Sequence, residues 1–274
     1  MRPVAEHRRY HNALPLNCWE GRGFDFMAHW HPDVELFLVL EGAMQVGING
    51  EIRTLGPGWL AVCGSNDIHH YRKVMEDERH IMLIFRPELA AYPGIWPAGR
   101  RLASHFCPPD LAAPLLPLLR GLAAEDRCGD EFHAQVSRGL LIQLCGLLDR
   151  HLTTAADPAA EAQRLHWRDR MGTAIGFIRS HSRKDLCLGD VASAVNMSPC
   201  YFSRTFAAST GQRFTTYLNA VRLEEADEHL ADGGRSMVDI ALACGVGSVR
   251  SFNRAWRELR GGSPCHTAGR ARTG

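Results

Sequence analysis

No run of apolar residues in this chain of 274 reaches the roughly eighteen that a membrane-spanning helix requires. The opening stretch MRPVAEHRRYHNALPLNCW also lacks the continuous apolar core of a signal peptide, so the expected location is cytoplasmic, with no membrane partner. The nine cysteines are scattered, odd in number and contain no CxxC pair, which speaks against a disulfide framework and against a zinc module. Most are expected to be small buried apolar residues, with a thiol sensor as the alternative. An excess of one charge is missing too. The formal net charge is +1, with 22% charged and 45% hydrophobic residues, the balance of a globular chain with one or two ordinary cores.

The neutral total hides an asymmetry. Residues 1–166 carry 16 basic and 20 acidic side chains, and residues 167–274 carry 15 and 10. A basic block is the electrostatic footprint of a polyanionic partner, or else only of solubility. Up to about Phe85 the chain is rich in Val, Ile, Leu, Phe and Trp in short runs broken by Gly, Asn and Pro, which is a strand pattern. Val34 to Leu40 is expected as a buried strand. Met44 to Ile48 and Glu51 to Leu55 flank Asn49 and Gly50 as a type I′ hairpin, and Gly56, Pro57 and Gly58 turn into the next strand. The region is expected to form a small antiparallel barrel or sandwich.

The period then changes. Leu111 to Ala124 and Phe132 to His151 read as amphipathic helices, with Leu140, Leu141, Leu144, Leu147 and Leu148 at three- and four-residue spacing. Such a stripe either covers the barrel or pairs with the same helices of a second subunit. Thr153 to Ala162, TTAADPAAEA, has no apolar stripe and reads as a linker, and from Trp167 onward the pattern is helical. The expected fold is α+β with two domains: residues 1–152 as an antiparallel β-barrel followed by helices, 153–166 as linker, and 167–274 as an all-α domain.

That last domain repeats itself. SPCYFSRTFAASTG (Ser198 to Gly211) and SVRSFNRAWRELRG (Ser248 to Gly261) share the pattern SxxxFxRx[FW]xxxxG. Upstream, Leu188, Val191, Ala192 and Val195 form an i, i+3, i+4, i+7 stripe, and Met237, Ile240, Ala241 and Cys244 repeat it forty-nine residues later. Each stripe is a short helix. A turn follows (Asn196 and Met197, then Gly245 to Gly247), and a second helix opens at Ser198 or Ser248 as N-cap, with Pro199 at its first position in one copy. Ser236 and Asp239 resemble a capping box before the second copy. The pattern predicts two helix-turn-helix units.

At about 100° per residue, Phe202 and Phe206 share one helix face and Arg204 points away from it. Cys200 lies beside Arg204, with Ser203 at the edge of that face. In the second copy Arg250 and Arg257 lie beside Arg254, with Asn253 at the edge. Arginines at i, i+3 and i+4 repel unless an anion neutralises them, and arginine's fork suits both phosphate and guanine.

Residues 171–264 resemble the DNA-binding domain of the AraC/XylS family of transcriptional regulators. The likeness is carried by IGFIRSH (Ile175 to His181), DVASAVNMSPCYFSRTFAASTG, VRLEEADEHL (Val221 to Leu230), DIALACGV, and GGSP at Gly261 to Pro264. Val246 departs from the family's usual phenylalanine, and the tail HTAGRARTG lacks its usual tyrosine and arginine. The resemblance implies that the two second helices enter successive major-groove segments of double-stranded promoter DNA. Arg204 and Arg254 would lead, with Cys200, Ser203, Val249, Arg250, Asn253 and Arg257 as the other DNA-binding positions. RNA polymerase would be a further partner.

Gly23, His29, His31, Glu35 and Gly42 spell GxxxxxHxHxxxExxxxxxG, with Pro57, Gly58, His69 and His70 following. This resembles the cupin barrel motif. Joined to an AraC-type domain it implies an effector-binding and dimerising domain, with His29, His31, Glu35, His69 and His70 lining a pocket for a small molecule such as a sugar or related metabolite. No metal, no other cofactor and no catalytic residue is expected on that resemblance. The alternative is a divalent ion held by His29, His31, Glu35 and His69 or His70, as in a metal-dependent cupin enzyme with an appended DNA-binding domain. Trp30, Trp59 and Tyr71 either stack on a ligand or belong to the core. The resulting expectation is a ligand-responsive, homodimeric transcriptional regulator, and not an enzyme.

Overall fold

A computed structural model describes residues 14–90, 96–97, 101–154, 158–232 and 235–260. The chain divides into two compact units: the described residues up to Asp169, together with Ser209–Gly211, form one, and Arg170–Ala208 with those from Gln212 onward form the other.

The first unit opens with β1 (Leu16–Arg22), β2 (Phe26–His29), β3 (Val34–Glu41), β4 (Met44–Ile48), β5 (Glu51–Leu55), β6 (Leu60–Cys63), β7 (His69–Lys73) and β8 (Arg79–Phe85). The short β9 (Arg101–Leu102) and β10 (Phe106–Cys107) precede α1 (Pro109–Ala112), α2 (Leu116–Cys128) and α3 (His133–Leu152). Two antiparallel sheets result, in the orders β1-β8-β3-β6-β10 and β2-β7-β4-β5. The strand pattern led to the expectation of a small antiparallel barrel or sandwich, and the two sheets form the cupin-like architecture that the resemblance of the His-Glu-Gly motif implied. The Asn49–Gly50 turn has positive φ at both residues, 50° and 91°, as a type I′ hairpin requires, and it fixes the β4·β5 register with Ile48 opposite Glu51.

Alternation within the five-stranded sheet explains why its strands read as almost continuously apolar, since both faces are covered. Leu36 and Leu38 of β3, with Leu83 and Phe85 of β8, pack against Leu119 and Leu122 of α2 and Leu141, Leu144 and Leu148 of α3. The opposite parity, Phe37, Val39, Met82 and Ile84, meets Met44, Val46, Ile48 and Tyr71 of the other sheet. The leucine stripe of α3 therefore closes the barrel of its own chain. The outer side of that region exposes Phe132, Val136 and Ile142 at 61%, 44% and 55%.

Residues 153–166, read from sequence as a linker, contain β11 (Thr153–Thr154), which pairs with β9, and the first turns of α4 (Pro158–His181). An alanine-rich segment has high helix propensity without needing an apolar stripe, and proline suits the first helical turn.

The second unit holds the rest of α4, then α5 (Leu188–Ala194), α6 (Pro199–Thr210) as far as Ala208, α7 (Phe214–Asp232), α8 (Met237–Ala243) and α9 (Val249–Arg260). The α5–α6 and α8–α9 pairs are the two helix-turn-helix units. Their turns correspond closely: Asn196 has φ 52° and Gly245 has φ 77°. Ser198 Oγ accepts from Tyr201 N at 3.4 Å, and Ser248 Oγ accepts from Ser251 N at 3.2 Å. Ser236 caps α8 by accepting from Asp239 N, while its hydroxyl donates to Asp239 Oδ2 at 2.7 Å. Phe202 and Phe206 are fully buried, and Phe252 and Trp256 fill the core of the second helix pair with Ile240 and Leu223. Among the described residues no helix is long and apolar enough to cross a membrane. The GGSP stretch and the tail lie outside the described residues.

Candidate ligand and nucleic-acid sites

Parity in the barrel strands decides which polar side chains meet. Glu35 shares the interior parity of Phe37 on β3, and His69 shares that of Tyr71 on β7. His29 ends β2 opposite His69, and His31 follows it. His29, His31, Glu35 and His69 are all buried, and one potential ligand atom from each lies within 4.8 Å of the others. His31 Nε2 is 3.2 Å and His69 Nε2 is 3.7 Å from Glu35 Oε2. The second carboxylate oxygen, Oε1, accepts from Tyr71 Oη at 2.6 Å.

Each imidazole is steered by its other nitrogen. His29 Nδ1 meets Met27 O at 2.9 Å, His31 Nδ1 meets Asp33 O at 3.1 Å, and His69 Nδ1 meets Asp67 O at 2.8 Å. A backbone carbonyl can only accept, so each Nδ1 carries the proton and, in a neutral ring, each Nε2 carries a lone pair. Three imidazole nitrogens and a carboxylate oxygen, with the rings held by backbone carbonyls and the carboxylate by a phenol, suit a borderline divalent ion such as Zn, Ni, Co, Fe or Mn. Burial, and then the neighbouring His69, push the His29 pKa well below the ordinary imidazole value. Burial opposes charge on His69, but Glu35 outweighs it and raises that pKa.

His70 does not join this group. The next residue along a strand points to the other face, and His70 lies against Gly47, opposite it in register, where an added Cβ would fall 2.0 Å from His70 Cε1. Burial lowers its pKa to about 4. Trp59 packs against the barrel core and Tyr71 is spent on Glu35, so neither is placed as a ligand-stacking surface.

A second buried pair went unnoticed in the sequence. His80 Nδ1 lies 3.1 Å from Glu78 Oε1, and the ring lies tilted against Phe37 and Phe24, with centroids 4.7 and 5.2 Å away. Burial lifts Glu78 to about 7 and lowers His80 to about 4. The only signal available in the sequence was parity, since His80 falls in step with Met82 and Ile84.

In the helical unit Cys200, Ser203 and Arg204 are exposed on α6, opposite the buried Phe202 and Phe206. On α9, Arg250, Arg254 and Arg257 are exposed while Val249 and Asn253 are partly so, opposite Phe252 and Trp256. Each second helix thus offers an outward face, and α9's is far more cationic. Tyr201, half exposed beside Cys200 on α6, is a further outward side chain that the repeat pattern had not singled out.

A profile described as a helix-turn-helix domain matches residues 191–270, and one described as a cupin domain matches residues 18–85. The HTH-type transcriptional activator RhaS of Klebsiella pneumoniae (strain 342) is 25% identical over 248 residues, covering 87% of this chain and 86% of the relative. An uncharacterised HTH-type transcriptional regulator of Staphylococcus aureus (strain MRSA252) is 31% identical over 96 residues, which is 35% of this chain and 13% of that protein. Among solved structures, unsaturated fatty acid bound ToxT from Vibrio cholerae strain SCE256 aligns with 95% of this chain and 97% of its own, at 12% identity and a TM-score of 0.45. The DNA-binding domain of AdpA in complex with a target DNA aligns with 38% of this chain and 96% of its own, at 24% identity and a TM-score of 0.36.

Proposed function

From the premise that this chain belongs to the AraC family of DNA-binding transcriptional regulators, with a cupin domain at its N-terminal side, we infer that it is a cytoplasmic, ligand-responsive regulator of promoters. The observation that carries the reading is the pair of matched helix-turn-helix units, each with a left-handed turn residue, a serine-capped second helix and an outward arginine. In this reading α6 and α9 enter successive major-groove segments. Arg204 and Arg254 lead the contacts, and Arg250 and Arg257 add phosphate neutralisation.

The barrel is the sensor. Ligand binding biases how the DNA-binding units are presented, and so whether RNA polymerase is engaged. His29, His31, Glu35 and His69 form its polar floor. That floor, imidazole and carboxylate rather than open aromatic faces, supports a cationic or chelating ligand better than a sugar. The exposed Phe132, Val136 and Ile142 support a homodimer, and the likeness to an activator supports activation. No catalytic step belongs to this reading. The buried donor cluster also favours a second one, a metal-dependent cupin enzyme with a DNA-binding appendage, which turnover of a substrate by the metal-loaded protein would support.

The test is selection from a random duplex pool by the full-length protein. A bipartite motif with halves about one helical turn apart is expected. The absence of any enriched sequence, with and without metabolite extract, would remove the reading.

A further inference from the structure

The two reading helices share one frame, and their outward faces differ at matched positions. Ser198 and Ser248 cap α6 and α9 in the same way, and Phe202 and Phe206 take the buried places that Phe252 and Trp256 take in the second copy. Counted from those anchors, Arg204 matches Arg254, Cys200 matches Arg250, and Ala207 matches Arg257. Arg204 is the only charged residue of α6, whereas α9 carries four arginines and one glutamate. The repeat keeps one arginine and changes what surrounds it.

Two arginines of α9 are already engaged. Arg260 Nη2 pairs with Asp227 Oδ2 at 2.7 Å, and Arg257 Nε donates to Asn253 O at 3.2 Å, which lays that side chain along the helix. Among the described residues Arg250 and Arg254 have neither an ion pair nor a hydrogen bond, and Glu258, one turn beyond Arg254, forms no ion pair. Like charges one turn apart weaken a helix. These two guanidinium groups therefore cost the fold something and contribute nothing to it.

Their place on the helix indicates what they meet. Arg250 sits in the first turn of α9 and Arg254 in the second, and in a helix-turn-helix unit the N-terminal part of the second helix faces the base edges. Four residues advance about 6 Å along a helix axis, close to two base-pair steps of roughly 3.4 Å each. A guanidinium fork matches the O6 and N7 acceptors of guanine. Arg257, nearer the C-terminus, is left for the phosphate backbone.

The α6 face offers a different chemistry. In the place of Arg250 stands the exposed Cys200, a short side chain that packs as an apolar group, and an apolar contact suits the C5-methyl of thymine. In the place of Arg257 stands Ala207, which can neutralise no phosphate. Tyr201, 50% exposed, widens this uncharged surface, while the hydroxyl of its match Ser251 is taken by Ser248 at 3.1 Å.

Resting on the reading of this chain as a promoter-binding regulator, we propose that its two reading helices divide the work of recognition. The α9 helix anchors the protein on a half-site with two guanines, met by Arg250 and Arg254, and with Arg257 supplies most of the salt-sensitive affinity. The α6 helix reads a half-site with one guanine, met by Arg204, beside a thymine whose methyl group meets Cys200. Arg250 thus reads a base as well as neutralising charge. The matched pair Cys200 and Arg250 makes the two half-sites different sequences.

The experiment selects duplexes from a random pool with full-length wild type, Cys200→Arg and Arg250→Cys, all changed at exposed positions. Wild type should select one half-site with two guanines and one with a guanine beside a thymine. Arg250→Cys should lose a guanine from the first of these and leave the other intact, and Cys200→Arg should gain a guanine where the thymine stood. Replacing that thymine by uracil, which lacks the methyl group, should weaken wild type about fourfold, the worth of one buried methyl, and leave Cys200→Arg indifferent. Arg257→Ala should keep the selected motif and lower the slope of log affinity against log salt by about one.

A uracil duplex bound by wild type as tightly as the thymine duplex overturns the role of Cys200. Guanines lost from neither half-site in Arg250→Cys, or an unchanged salt slope in Arg257→Ala, overturn the anchoring by α9. All of these outcomes leave the regulator reading standing. A wild type that selects no sequence contradicts that reading itself, and the division of recognition falls with it.

Discussion

Glu78 and His80 show how two neighbouring residues can pull stability in opposite directions with pH. Glu78 has a folded pKa of about 7, above its ordinary 4.5. The folded chain therefore keeps a proton that the unfolded chain has lost across that window, and this contribution to stability declines as pH rises. His80 has a folded pKa of about 4, below 6.5, so its contribution rises with pH between those values. Replacing Glu78 with glutamine removes only the declining contribution. Relative to wild type, Glu78→Gln should gain stability steadily from pH 4.5 to 7, read as a growing separation of urea midpoints. A constant separation would contradict the assignment. At this scale the sequence was only half legible. Spacing named His29, His31 and Glu35, but adjacent His69 and His70 could be told apart only by strand parity. Parity needed the register of β7 against β4, where His70 falls opposite Gly47 and His69 opposite Ile48.

Among the elements, the two helix-turn-helix units were legible because each signal in them is local: an apolar stripe, a turn residue, a capping serine. Their turns predict an asymmetry. A Cβ on Gly245 would fall 2.6 Å from Arg183 backbone atoms at φ 77°, so Gly245→Ala meets both strain and collision and should cost about 2 kcal/mol or more. Asn196 already carries a side chain at φ 52°, so Asn196→Ala loses only asparagine's tolerance of that region, about 1 kcal/mol. Equal shifts of the urea midpoint would contradict the predicted asymmetry of the turns. Two element-level readings needed three-dimensional information. The leucines of α3 could face their own barrel or a partner, because periodicity defines a face without naming what covers it. The first turns of α4 carry no stripe, so periodicity passed over a helix that alanine content supports.

On the scale of the whole molecule, the inward-facing leucines leave Phe132, Val136 and Ile142 as the apolar surface of the α3 region. Substituting Ile142, 55% exposed, with aspartate should change folding stability by no more than about 0.5 kcal/mol. If that surface joins two chains, Ile142→Asp should shift sedimentation from dimer toward monomer. An unchanged dimer would place the interface elsewhere. The charge division of the sequence, with its basic block after residue 166, fits a DNA-binding unit.

The central claim is that two helices of one chain read DNA in tandem, and it is tested most directly by comparing the motifs selected by wild type, Arg204→Ala and Arg254→Ala from the same random duplex pool. Each lost base contact should cost roughly 1–3 kcal/mol in discrimination. The account predicts two short motifs about one helical turn apart, one degraded by each substitution while the other survives. Substitutions that left the selected motif unchanged, or that degraded both halves alike, would contradict it.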